Sequence, residues 1–272
     1  MTFKRPKIMG ILNVTPDSFS DGGQFNDYDL AVKRALQLID EGADIIDIGG
    51  ESTRPGALEI SVKDEVIRTV PVVVALREAL RDLDAEPQIS IDTRKPEVAE
   101  AAIHAGADIW NDVTALTFNK NSESVAADLS CPVVMMHIQG SPETMQINPH
   151  YDDPVADVKD WLAKRIDAAE FAGVERHNIT LDPGIGFGKR QEDNLALLGQ
   201  LDKFHDLGCP LLMGASRKSF IGKIDGSASD DRLGGSIAAA LWSAALSASI
   251  LRVHDVSETV QALKVWEAMA NG

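Results

Sequence analysis

Side chains that can hold or move charge stand at the ends of short apolar runs along this chain. The run Ile179-Thr180-Leu181 pushes out Asp182, and Pro183 stops it before the loop Gly184-Ile185-Gly186-Phe187-Gly188-Lys189. A carboxylate at the carboxyl tip of a buried strand needs donors to offset its desolvation, so it faces a ligand crevice or caps the next helix. The glycines around Phe187 let backbone and one aromatic ring approach something flat. Other apolar runs end alike, at Asn13, Gly49-Gly50-Glu51, Asp92, Asn111, His137, the turn Ser216-Arg217-Lys218, and Arg252 with His254. Random placement rarely sets a hydrogen-bonding residue at nearly every tip, and this convergence points to an enzyme. Two loops add to it. Residues 13–23 carry Asp17, Phe19, Asp21 and the hinge-like pair Gly22-Gly23, which suits a mobile lid. The second, Glu51-Ser52-Thr53-Arg54-Pro55-Gly56, offers a hydroxyl and a guanidinium beside a rigid proline, a combination suited to an anionic group.

The elements that must position these groups are legible as alternation. Strands are predicted at Ile8–Asn13, Ile45–Gly49, Gln88–Asp92, Asp108–Asp112, Val133–His137, Ile179–Asp182, Leu211–Ala215 and Ile250–His254. Helical spacing fills the intervals, as at Ala31, Ala35, Leu38 and Ile39. Strand-helix alternation signals a parallel sheet. Eight such units predict an α/β fold, a single (β/α)8 TIM barrel occupying 1–272 as one domain, with the active site at the carboxyl ends of its strands. An open doubly wound sheet is the alternative, but GxGxxG is missing after the first strand and the spacing of Gly184, Gly186 and Gly188 differs from it. Alternation turns Trp110 away from the barrel interior, towards the helices.

Composition narrows the partners. A chain of 272 residues, 44% hydrophobic, buries a substantial core. Its formal charge of −16 argues against a nucleic-acid partner, while a few local cations can still hold a small anion. Cys131 and Cys209 each precede a proline and lack metal-site spacing, so they read as packed thiols in a reducing, cytoplasmic setting. The stretch between Arg232 and Arg252 is uncharged and long enough for a membrane span. Its Ala, Ser and Gly content instead predicts a helix near Ser236 to Leu246 and a strand from Ser249 to Val253.

Four blocks carry a family resemblance: Asn13 to Gly23, Gly49 to Gly56, Asp182 to Lys189, and Ser216-Arg217-Lys218-Ser219. Together with Arg252-Val253-His254-Asp255-Val256, they closely resemble dihydropteroate synthase over essentially the whole chain. The resemblance implies a pterin-binding barrel and a homodimer. It implies a transferase of folate synthesis that joins 4-aminobenzoate to 6-hydroxymethyl-7,8-dihydropterin diphosphate and releases diphosphate, a family targeted by sulfonamides. Carried onto this sequence, Asp92, Asn111, Met136, Asp182, Phe187, Gly214 and Lys218 would hold the pterin. Asn13, Thr53, Arg54, Arg252 and His254 would hold the diphosphate, with Asn13 also the ligand of a Mg2+ cofactor. Phe19, Pro55, Ser216 and Lys218 would build the 4-aminobenzoate pocket, and Asp17 or Asp21 is expected to pair with Arg54. The catalytic group would be Lys218, Arg252, Asp92 and Asp182. The residues' own chemistry agrees: an Asp accepts from the amino and N3–H edge of a pterin, and Arg252 and His254, two apart before a helix start, favour phosphate. Competing expectations are a pterin-binding methyltransferase, a Schiff-base aldolase using a Lys218 amine depressed by Arg217, and a non-catalytic pterin-binding paralogue.

Overall fold

The computed structural model describes residues 4–15, 24–54, 56–81 and 87–271. Its strands are β1 Lys7–Asn13, β2 Ile45–Gly49, β3 Gln88–Asp92, β4 Ile109–Asp112, β5 Val133–Met136, β6 Ile179–Asp182, β7 Leu212–Met213 and β8 Ile250–Val253. All are parallel, in the order β6-β5-β4-β3-β2-β1-β8-β7. A bridge between Leu181 and Leu211 brings β6 to β7 and closes the ring. The helices are α1 Gln24–Asp40, α2 Val62–Leu80, α3 Pro96–His104, α4 Ser122–Leu129, α5 Pro154–Ala172, α6 Gln191–Gly199, α7 Ser219–Asp225, α8 Leu233–Ala245 and α9 Val256–Asn271. This is the expected (β/α)8 barrel, with two helices, α7 and α8, between β7 and β8.

Side-chain alternation along the strands builds two cores. Outward residues such as Ile46, Ile48, Ile89, Ile91, Met135 and Leu181 pack on Leu38, Val73, Leu76, Val98, Leu162 and Leu263 of the helices. Trp110 belongs to this layer, as expected, and its indole N–H donates to the Thr93 carbonyl at 2.7 Å. Inward residues Met9, Ile45, Ile109, Val134, Leu212 and Ile250 form a separate apolar plug inside the barrel. The residue two places on shares the plug residue's face. Those positions are Asp47 after Ile45, Asn111 after Ile109, Met136 after Val134, Gly214 after Leu212 and Arg252 after Ile250. The plug is therefore the floor on which a polar layer stands.

The predicted limits shift in five strands, β1 beginning one residue early at Lys7. Strand β7 shrinks to two residues, because Gly214 and Ala215 leave the ladder towards the turn at Ser216. Strands β5 and β8 stop one residue early, although the His137 amide still donates to the Asp182 carbonyl at 3.0 Å. Asp108 precedes β4 because its carboxylate accepts from the Ile89 amide at 2.7 Å. The uncharged stretch divides as predicted into α8 and β8, and among the described residues no helix is long and apolar enough to cross a membrane. Both cysteines are buried free thiols.

Candidate active site

At the carboxyl rim the polar layer converges on Arg252. Its Nε donates to Asp47 Oδ2 and its Nη2 to Asp92 Oδ2, each at 2.6 Å. Asn111 Nδ2 donates to the same Asp47 oxygen at 3.1 Å. Asp47 is an acceptor only, so this contact fixes the Asn111 amide and leaves its carbonyl oxygen to the pocket. One guanidinium shared by two buried carboxylates makes an electronegative cluster. Burial and the Asp47 charge push the Asp92 carboxyl up to about 7, against the pull of Arg252. Burial opposes the Arg252 charge, but Asp47 and Asp92 hold it.

Asp182 reaches the rim from β6 and is 6% exposed. Its Oδ1 accepts from the Gly184 amide at 2.7 Å; the cap it makes is on the glycine loop rather than on α6. Burial raises its carboxyl, opposed by that amide and by the Lys218 and Lys189 charges. A Cβ at Gly214 would lie 3.8 Å from Asp182 Oδ2 and 3.9 Å from Arg252 Cβ. Gly214 therefore leaves open the gap between these two side chains. Met136 and Phe187 line one wall with Val113, Ile138 and Met145, and the Lys218 ammonium rests 4.0 Å above the centre of the Phe187 ring. Burial, then Arg252, lowers the Lys218 amine to about 8. Arg217, expected to depress it, instead turns outward to Asp255, with Nε donating to Oδ2 at 3.0 Å.

His254 follows β8 and turns towards β7. Its backbone amide donates to Ser216 Oγ at 3.3 Å, and its Nδ1 lies 3.0 Å from the same hydroxyl. Burial, then Arg252, lowers the imidazole to about 4. His254 is therefore neutral at pH 7, with Nε2–H as its remaining donor when the Ser216 hydroxyl donates to Nδ1. Helix α9 begins two residues later, so its free amides open beside this imidazole. Asn13, exposed at the end of β1, faces the same rim: its Oδ1 and Asp92 Oδ2 would lie 3.8 and 3.6 Å from a Cβ at Gly49. Thr53 and the exposed Arg54 lie on the β2–α2 loop, with no side-chain hydrogen bond among the described residues. Phe19, Pro55, Asp17 and Asp21 lie outside the described residues.

Three groups of contacts escaped sequence reasoning. Asp47 had a signal, since a carboxylate inside Ile45-Ile46-Asp47-Ile48 interrupts a buried run and must have a partner. Beneath the second loop, Lys95 Nζ lies 2.8 Å from Glu51 and 2.6 Å from Glu65, while Arg94 Nε lies 3.0 Å from Glu51. Burial works to raise the Glu51 carboxyl, but its bonds from Lys95 and from the Ile60 amide outweigh it. This cluster ties the loop's two ends, Glu51 and Ile60, to α2 and to the β3–α3 turn. Nothing local distinguishes Lys95 from a surface lysine. The third group is Lys189 with His137, whose ammonium and imidazole meet behind the Phe187 wall.

A closed parallel barrel with acceptors, cations and an aromatic wall gathered at its carboxyl rim defines an enzyme that grips a flat, polar-edged ring beside an anion. The family model described as "Pterin binding enzyme" matches residues 9–254, which places the chain among pterin-binding enzymes. The dihydropteroate synthase of Escherichia coli (strain K12) is 47% identical over 268 residues, 98% of this chain and 93% of the relative. The solved structure of Xanthomonas albilineans dihydropteroate synthase with 4-aminobenzoic acid superposes with a TM-score of 0.90 at 47% identity, covering 99% of this chain and 94% of that one. The same organism's enzyme in complex with 7,8-dihydropteroate gives 0.87 at 45% identity, covering 99% and 95%. The chain belongs to the dihydropteroate synthase family, and as such it is a transferase.

Proposed function

We propose that this chain condenses 6-hydroxymethyl-7,8-dihydropterin diphosphate with 4-aminobenzoate, giving 7,8-dihydropteroate and diphosphate. The observation that carries this reading is the pairing, at one rim, of an acceptor edge with a donor end. The free lone pairs of Asp182 and the carbonyl oxygen of Asn111 accept from the amino and N3–H groups of the ring. The Lys218 ammonium donates to the ring's carbonyl oxygen, and Met136, Phe187 and the gap at Gly214 accommodate its faces. The diphosphate lies towards Arg252, the Nε2–H of His254 and the first amides of α9. Thr53 and Arg54 join that site once their loop closes, and Ser216, Lys218, Phe19 and Pro55 form the 4-aminobenzoate pocket.

The reaction is SN1-like. The bond between the methylene carbon and the diphosphate oxygen breaks first, and its electron pair leaves with the oxygen. The electron-rich dihydropterin carries the resulting cation, which Asp92 in its ionised form stabilises through its negative charge, Asp47 meanwhile offsetting the Arg252 charge. The neutral arylamine nitrogen then bonds to that carbon and loses its proton to the departed diphosphate or to solvent, so no strong protein base is needed. The loops exclude water, which would otherwise capture the cation.

The donor set at Asn13 fits Mg2+. Asn13 offers a neutral oxygen, and among the described residues no three His, Cys, Asp or Glu side chains cluster to hold a metal ion. Mg2+ commonly takes few protein ligands and completes its octahedron with phosphate oxygens and water. Bound there with the diphosphate, it would neutralise charge on the leaving group.

A coupled diphosphate-release assay with and without 4-aminobenzoate tests the reading. Release that depends on the pterin diphosphate and yields dihydropteroate only with 4-aminobenzoate is the expected result. Titration with the pterin diphosphate and Mg2+ separates this activity from a pterin-binding methyltransferase, which needs no diphosphate site. Borohydride trapping with a carbonyl substrate should leave Lys218 unlabelled, against the aldolase reading. Binding without turnover would mark a non-catalytic paralogue.

A further inference from the structure

Lys189 is 2% exposed, yet it carries a full-length amine into the protein. Its Nζ lies 2.9 Å from His137 Nδ1, 3.0 Å from the Phe187 carbonyl oxygen and 3.3 Å from the His137 carbonyl oxygen. Burial lowers the Lys189 amine to about 7, with the Asp182 charge opposing the fall. In its protonated form it has three hydrogens for these three acceptors, His137 Nδ1 accepting in the Nε2–H tautomer. His137 is fixed in turn by an edge-on contact with the Trp161 ring, centroids 4.9 Å apart, and a tilted one with Tyr151 at 6.0 Å. The Tyr151 hydroxyl donates to the Gly188 carbonyl at 2.7 Å, and Gln146 Nε2 donates to the Gly186 carbonyl at 2.8 Å. The glycine loop is thus gripped from behind by donors that occupy carbonyls a mobile loop would leave to water.

Both ends of this grip adjoin proposed ring contacts. His137 follows Met136, Phe187 is itself in the pocket wall, and Asp182 faces Lys189 closely enough for each to affect the other's charge. Gly184 shows how tightly this assembly is closed. At its φ of +72°, a Cβ would stand 2.0 Å from the His137 carbonyl oxygen and 3.3 Å from Lys189 Nζ.

We propose that Lys189 is a positioning residue for the pterin ring, tying the end of β5 to the glycine loop so that Met136, Phe187 and Asp182 keep one spacing. It does not touch the ring; it acts through the three residues that do. This inference rests on the pterin-binding reading, and it localises the effect to the ring half of the substrate. The diphosphate half is held by Arg252, His254 and α9, none of which Lys189 contacts.

The test measures binding of two probes, 6-hydroxymethylpterin and inorganic diphosphate, by titration calorimetry on the full chain, alongside steady-state turnover. Lys189→Met keeps the aliphatic stem and deletes the amine. It should weaken 6-hydroxymethylpterin binding at least tenfold and raise KM for the pterin diphosphate, while diphosphate affinity stays within twofold. If Lys189→Met does not fold, the His137 pair decides. His137→Asn places an amide oxygen where Nδ1 stood and should bind the pterin probe within threefold of wild type, whereas His137→Leu should lose at least tenfold. Wild-type pterin affinity in Lys189→Met, equal losses for both probes, or indistinguishable His137→Asn and His137→Leu would overturn the proposal. Wild-type protein that binds neither probe nor turns over sinks the pterin reading itself, a separate outcome.

Discussion

Charge at single side chains sets how this site works. The Lys218 amine, lowered to about 8 by burial and by Arg252, donates to the ring fully only in its protonated form. For a base, raising the pH through that value removes the charge. kcat/KM for the pterin diphosphate should therefore fall as pH rises through about 8, since that ratio reports groups of the free enzyme. In Lys218→Arg, whose guanidinium stays charged, a pH-rate profile should show the fall displaced to higher pH. Asp47 is tested by two substitutions. Removing an acceptor from a buried charged donor costs on the order of 1–3 kcal/mol, so Asp47→Ala should lose about that much stability to urea. It should also lose at least tenfold in kcat/KM, because Arg252 and the Asn111 amide are both released. Asp47→Asn can place its amide oxygen where Oδ2 stood and should fall between wild type and Asp47→Ala in both measurements.

At the scale of elements, the glycine loop after β6 and the ionic cluster under the β2–α2 loop hold the pocket in shape. Backbone space decides the first. Gly184→Ala combines a positive φ with a Cβ 2.0 Å from a carbonyl oxygen, and strain plus overpacking there costs at least about 2 kcal/mol. Gly199 ends α6 with nothing within 4 Å of a Cβ, so Gly199→Ala should stabilise by about 0.5–1 kcal/mol. Denaturant unfolding of the two variants should give opposite signs; equal effects would count against the tight packing described for the loop. In the ionic cluster, Lys95→Met leaves Glu51 and Glu65 buried without their shared cation. Such a break costs roughly 3–5 kcal/mol, which should appear as a lowered urea midpoint at pH 7.

For the whole molecule, the formal charge of −16 does not describe the rim, where Arg252, Lys218 and the α9 amides stand among Asp47, Asp92 and Asp182, so the anionic substrate meets a local field unlike the global one. The homodimer implied by the family resemblance should give a sedimentation mass about twice the 29.3 kDa of the chain. A species at the single-chain mass across micromolar concentrations would contradict it.

The alternation of strand and helix, the plug, and the polar tips at Asn13, Asp92, Asn111, Asp182 and Arg252 were set by local sequence. Strand periodicity sends every second residue inward, and a charged residue at the end of an apolar run has few other places to go. That Asn111, Asp182, Lys218 and Arg252 share one rim also followed, because parallel strands put all their carboxyl ends on one side. Only the tertiary structure decided that Arg252 is shared between Asp47 and Asp92, that His254 is neutral against Ser216, and that Arg217 turns outward to Asp255. It alone buried Lys95 and Lys189, whose neighbours come from other βα units. Pairings and proton affinities depend on distances between residues far apart in the chain and on the water excluded around them, and no stretch of sequence encodes either by itself.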